Sequence, residues 1–190
     1  MLGVERILEA QIAGFVPVKA DCQPNPQAPA SRMPFFQGEP QTMRFVSTYS
    51  LQEASRGYPR ILELQVIPRD NGEGVRLIVN EHLYSGPLST GRLCAGIAPD
   101  PTTGVAVLRF FPVQISSNSF VLADNLSHCV FAYREEREPP QRPVWLPRWA
   151  GEVSPSAVRF DMAPLEADAA KLQVPSIVAP FRVSRDPAMQ

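Results

Sequence analysis

The sequence predicts an α+β domain, with an N-terminal α-helix packed on antiparallel β-sheet and long Pro-rich loops between the strands. Three observations carry that prediction. Val4, Ile7, Leu8, Ile12 and Phe15 recur at three- and four-residue steps, the only good helical period in the chain. Several later segments alternate apolar and polar residues with the period of a strand. Proline occupies 21 of 190 positions, about twice its ordinary share of roughly 5%, yet 44% of the residues are hydrophobic. That apolar content supports fixed loops and strand ends around a core rather than disorder.

A chain of this length forms one domain, residues 1–190, divided into a helix at 1–16, a Pro-rich connection at 17–42 and a β-rich body at 43–190. In the helix Glu5, Arg6, Glu9 and Ala13 fall off the apolar face, and Pro17 is a natural terminator. Pro24, Pro26, Pro29, Pro34 and Pro40 make residues 20–42 an extended surface connection. Strands are expected at 43–49, 60–67 and 75–84, the last two joined by the turn Asp70-Asn-Gly-Glu-Gly74. Residues 85–104 read as loop, ending in the turn Pro99-Asp-Pro-Thr-Thr-Gly104, and Val105–Phe111 is the most apolar strand candidate.

From Leu122 to Met162 the pattern is clearest. Cys129, Phe131 and Tyr133 fall on one face of a strand, with His128, Val130 and Ala132 on the other. Val158, Phe160 and Met162 share a face of the next strand. The polar, Pro-rich Arg134–Pro143 separates them, and Trp145 and Trp149 on this excursion cover an edge of the core. Glu166–Leu172 offers a helical turn or two, and Ile177–Val183 a last strand.

Net charge is −1, which gives no footprint for nucleic acid. No apolar run reaches the roughly 18 residues of a membrane span, and Glu5, Arg6 and Glu9 interrupt any signal-peptide pattern at the start. The two histidines, His82 and His128, sit beside strand neighbours that face the other way, and no Cys-x-x-Cys or His-x-x-x-His spacing occurs. No metal, cofactor or catalytic residue is therefore assigned. Ser127-His128 is a neighbour pair whose side chains should point apart on a strand, and no Gly-x-Ser-x-Gly elbow supports a hydrolase. Of three cysteines, Cys129 lies in the best strand and is expected as a buried thiol. Cys22 and Cys94 are the plausible disulfide pair in an oxidising compartment.

The order of these motifs resembles the minor pseudopilin J subunit of type II secretion systems. Phe131, Tyr133, Trp145, Trp149, Pro155, Ala157 and Val158 match that family's strand, Trp-bearing loop and Pro-x-Ala-Val strand. Phe36-Gln-Gly38 leading to Met43-Arg-Phe45-Val-Ser47, then Leu62–Val66 and Val75–Val79, are similar to its earlier strands. The resemblance implies a pilin-like fold and a structural, non-catalytic role in the tip complex that initiates a periplasmic pseudopilus. It implies other minor pseudopilins as partners and anchorage in the inner membrane through an N-terminal helix. That apolar helix and its processing site are not in the sequence, so the expectation is a soluble domain beginning beyond the anchor. Ile12 and Phe15 should then pack on the domain's own sheet, while Leu2, Val4, Ile7 and Leu8 form a partner-binding helix surface. The alternatives are a minor pilin of a type IV pilus or competence system, or a periplasmic or extracellular β-rich ligand-binding domain using Trp145, Trp149 and Tyr133.

Overall fold

The computed structural model of the protein describes residues 2–23, 27, 29–166 and 176–182. Among the described residues strand accounts for 52% and helix for 10%, so the fold is mostly β. The α+β expectation is corrected accordingly. The chain begins with α1 (Leu2–Ala13), followed by β1 (Phe15–Val16), β2 (Lys19–Cys22), β3 (Ser31–Pro34) and β4 (Gln37–Gly38). Three long strands come next: β5 (Thr42–Ser50), β6 (Ser55–Pro68) and β7 (Val75–Leu83). A short helix α2 (Pro87–Gly91) leads into β8 (Cys94–Pro99) and β9 (Ala106–Phe110). The chain then forms β10 (Phe120–Glu135), β11 (Val144–Leu146), β12 (Ala157–Pro164) and β13 (Ile177–Pro180).

Nine strands make one antiparallel sheet in the order β1-β5-β6-β7-β10-β12-β13, with β4 added to β5 and β11 to β10. Strand alternation sends Met43, Phe45, Leu62, Leu64, Leu77 and Val79 to one face, each fully buried. Cys129, Phe131, Tyr133, Val158 and Phe160 join the same core, and the Phe131 and Phe160 rings meet edge to face at 5.3 Å.

The sheet curls around that core, and β10 is where it bends. This strand pairs with β7 through Phe120–Leu126 and with β12 through Leu126–Arg134. Its register shifts three times between Val121 and His128, and Asn125 adopts φ 59, which are the marks of bulges that increase twist. Gly74, at φ +76, lets the β6–β7 turn press against the bend: a Cβ there would lie 2.4 Å from the Leu126 carbonyl oxygen. Helix α1 touches both β5 and β13, which stand near opposite ends of the strand order. It is thus a plug between two approaching sheet margins rather than a helix laid across an open sheet. On the other side Gly38 bridges to Trp149. Phe131 N–H donates to the Pro40 carbonyl, and the Tyr133 hydroxyl donates to the Glu39 carbonyl at 2.8 Å.

The helix positions divide differently from expectation. Ile12 and Phe15 are buried in the core, but so is Leu8, expected on the partner surface, at 0% exposure. Leu8 and Ile12 are one helical turn apart and share the inward face. Val4 is half-buried and packs against the core, Ile7 is half-buried, and the Leu2 side chain lies outside the described residues. Residues 17–42 are no mere connection, since they supply β2, β3 and β4. Within 85–104, read as loop, stand α2 and β8. Most of the helical turn expected at Glu166–Leu172, and the end of the strand expected at Ile177–Val183, lie outside the described residues.

A second, smaller layer covers the outer face of the sheet. The hairpins β2–β3 and β8–β9 bring Ala20, Cys22, Phe35, Cys94 and Leu108 onto Val46 and Ile61. Cys22 and Cys94 are joined as a disulfide across 72 residues of sequence, a closure worth about 4 kcal/mol by chain entropy. Cys129 is a buried free thiol, its pKa pushed up to about 12 by burial and by nearby Asp161.

One buried group conflicts with its surroundings. Gln11 is fully buried on α1, and among the described residues neither atom of its side-chain amide has a hydrogen-bond partner. An unmade buried hydrogen bond costs about 1–3 kcal/mol. Gln11→Met should therefore raise the urea unfolding free energy by an amount of that order; a variant less stable than wild type would show that the amide is satisfied in solution.

Candidate functional site

Where the outer layer meets the closed side of the sheet there is a groove of about 330 Å³. One wall is Val105–Phe110, the second is Arg32–Glu39, and the third is Arg148–Ser154. The third wall is shaped by Trp149, whose indole N–H donates to the Val153 carbonyl at 2.8 Å. That bond winds the chain around the ring so closely that a Cβ on Gly151 would lie 2.9 Å from it. The walls meet at the Phe35 and Phe110 rings, 5.6 Å apart and edge to face. The Arg148–Glu39 ion pair, at 2.9 Å, and the Arg32–Asp21 pair, at 2.7 Å, hold polar residues at the rim.

Six consecutive residues of the β9 segment line the groove, which happens when a strand presents its edge rather than one face. Among the described residues strand β9 pairs with β8 alone. Asp100 N–H donates to the Val105 carbonyl, and pairing alternates from there along an antiparallel ladder. Val107 and Arg109 therefore direct their N–H and C=O groups to β8, and Ala106, Leu108 and Phe110 direct theirs outward. Among the described residues no hydrogen bond reaches those outward groups. The facing strand β3 is different. Phe35 N–H donates to the Val18 carbonyl, so Met33 bonds inward to β2 and the outward positions are Arg32 and Pro34. Proline has no N–H to offer, and it blunts that edge.

Behind the groove a polar row crosses the outer face of four strands. Gln37 of β4 stands opposite Arg44 of β5, Arg44 opposite Glu63 of β6, and Glu63 opposite Asn80 of β7. Arg44, Glu63 and Asn80 are buried at 1%, 3% and 6% exposure. The Arg44 guanidinium donates from Nε to Glu63 Oε1 at 2.6 Å, from Nη1 to Gln37, and from Nη2 to the Phe111 carbonyl at 2.7 Å. It also lies 5.2 Å from the centre of the Phe110 ring. Glu63 Oε2 accepts from Asn80 and contacts His82 Nε2 at 2.9 Å, while Asn80 donates to the Gln114 carbonyl. Burial pushes the Glu63 carboxyl up, but His82, Arg44 and Asn80 together hold it below its usual range. The bond to Glu63 raises the His82 imidazole.

Of the aromatic residues expected around a ligand, only Trp149 lines the groove. Tyr133 is fully buried in the core, and Trp145 stacks instead with Arg159, whose guanidinium carbon is 5.0 Å from its ring. Ser127 and His128 both face outward because the register shifts between Leu126 and His128, which brings Ser127 Oγ within 3.2 Å of His128 Nδ1. The serine hydroxyl also reaches the Ala163 carbonyl, and the pair stands exposed on the surface. Among the described residues no group of three His, Cys, Asp or Glu side chains is placed to hold a metal ion, and no helix is long and apolar enough to cross a membrane. Sequence reasoning did not single out Arg44, Glu63 or the β9 edge. The available signal was a charged residue inside each of two apolar strands, Met43-Arg44-Phe45 and Leu62-Glu63-Leu64.

Comparison with family models, with curated proteins and with solved structures finds no match to the chain.

The His82–Glu63 contact makes stability depend on pH. A histidine whose folded pKa is raised contributes fully below its unfolded value of 6.5, and that contribution is lost as pH rises through the folded pKa. The carboxylate acts oppositely, its contribution vanishing as pH falls through the lowered pKa of Glu63. The melting temperature should thus decline as pH rises above the unfolded value of 6.5, and His82→Asn should flatten the decline. An identical slope in the variant would exclude His82 as its source.

Proposed function

We propose that the protein is a binding module that captures an extended peptide segment of a partner as an added strand on β9. The observation that carries this reading is the outward row of unpaired N–H and C=O groups at Ala106, Leu108 and Phe110, placed along a groove. An open ladder edge recognises any extended backbone, and pockets beside it select alternate side chains. Here Phe36 and Trp149 offer apolar surface for every second side chain, and Arg148, Glu39 and Arg32 border the rest. The Cys22–Cys94 disulfide supports an oxidising setting such as the periplasm or the extracellular space.

The pseudopilin role came from a resemblance in the order of the strand motifs, which implied a helix-over-sheet fold and an exposed helix face. The mostly-β fold and the burial of Leu8 depart from those two implied features.

Selection from a displayed library of random twelve-residue peptides, followed by fluorescence anisotropy, tests the proposal. Binders should be free of proline at alternate positions and apolar at every second residue. Ala106→Pro removes one outward donor without touching the β8 ladder. It should weaken binding about 3–10-fold, the worth of one hydrogen bond of about 0.5–1.5 kcal/mol, with little change in melting temperature. Binders indifferent to Ala106→Pro, or a selection that returns none, would overturn the reading.

A further inference from the structure

We infer that Arg44 is a positioning residue for the groove: one buried guanidinium ties two of its walls together and sets their spacing, without being needed for the stability of the fold. The inference rests on the groove being the binding site. Arg44 has three arms. Nη1 holds Gln37 on the β4 wall, and Nη2 holds the Phe111 carbonyl at the point where the β9 wall ends. Nε is fixed by Glu63, which Asn80 and His82 hold from behind. The face of the same group lies against Phe110, itself part of the groove wall. Only a planar fork of donors can serve these directions at once, so lysine does not substitute.

Stability alone gives no reason for this arrangement. Desolvating a buried ion pair offsets most of its attraction, and well-packed apolar residues of similar volume are commonly as stable or more so. Nor is a salt bridge needed to hold the neighbouring strands, since β5 and β6 are already joined along most of their length. What the apolar replacement cannot supply is the pair of hydrogen bonds to Gln37 and Phe111, which connect two separate sheets: the curled sheet and the β8–β9 hairpin. With those bonds gone, the β9 edge is no longer held at a fixed distance from the opposite wall. A peptide paired to β9 then loses the apolar surface across the groove.

The test replaces the pair together, Arg44→Met with Glu63→Leu, and reads three quantities. Melting temperature should stay level or rise. In the free protein, the proton–proton cross-relaxation between the Phe35 and Phe110 rings, 5.6 Å apart in the native groove, should be lost. Affinity for a peptide selected on the wild type should fall tenfold or more. A stable variant that keeps both the ring contact and the affinity overturns the inference. Loss of the ring contact in a protein whose wild type selects no peptide supports the role of Arg44 and removes only the peptide reading. Gln37→Met covers the case in which the double variant does not fold, because it cuts the β4 arm and leaves the ion pair whole. There a weakened ring contact at unchanged melting temperature supports the inference, and a native ring contact overturns it.

Discussion

The buried Arg44–Glu63 pair is the contact on which the outer half of the molecule depends. A guanidinium at 1% exposure needs a partner at each nitrogen, and the partners available fix where other parts of the chain can lie. Gln37 must stand over β5, Phe111 must approach with its carbonyl turned inward, and Asn80 and His82 must complete the carboxylate. Apolar packing under Val46 and Ile61 holds the two hairpins to the sheet, and the disulfide limits how far they separate. Neither is directional. The polar row is, and it turns a layer resting on a sheet into a groove with defined walls.

The inner half obeys a different constraint. A nine-stranded sheet with one largely apolar face has to cover that face, and the two small sheets among the described elements lie on the other side of it. Bending at β10 lets the sheet cover itself. The remaining gap is narrow enough for a helix of 12 residues, which presents Leu8 and Ile12. Closure on the opposite side depends on the absence of a side chain at Gly38, where an added Cβ would come within 2.7 Å of Trp149 and 3.0 Å of Tyr133. That closure also puts Trp149 at the groove, so the act of covering the core creates the third wall of the site.

The strands with clean alternation were legible in the sequence. Those expected at 43–49, 60–67 and 75–84 correspond to Thr42–Ser50, Ser55–Pro68 and Val75–Leu83, and Cys129, Phe131, Tyr133, Val158 and Phe160 share the core as their period implies. The helix at residues 2–13 was legible too, but its weight in the fold was not. A short apolar period shows that a helix forms and says nothing about how much sheet surrounds it. Proline misled between residues 17 and 42: Pro34 ends β3 on an edge that offers no N–H there, a position compatible with a strand. In the same way Pro87 opens α2 and Pro99 closes β8. Ser127 and His128 lie on one side because a bulge breaks the alternation, and no local sequence signal marks it. The candidate site was hidden for a more basic reason. Arg44 and Glu63 are 19 residues apart in sequence, and only the register of two paired strands sets them face to face.

Backbone amide hydrogen exchange on β9, read residue by residue by NMR, tests the central claim most directly. In the free protein Val107 and Arg109, bonded to β8, should exchange slowly, while Ala106, Leu108 and Phe110 exchange much faster. Saturation with a selected peptide should slow those three and leave the other two unchanged. Slow exchange across the whole of 106–110 in the free protein would contradict the account, because it would mean that the edge is already paired.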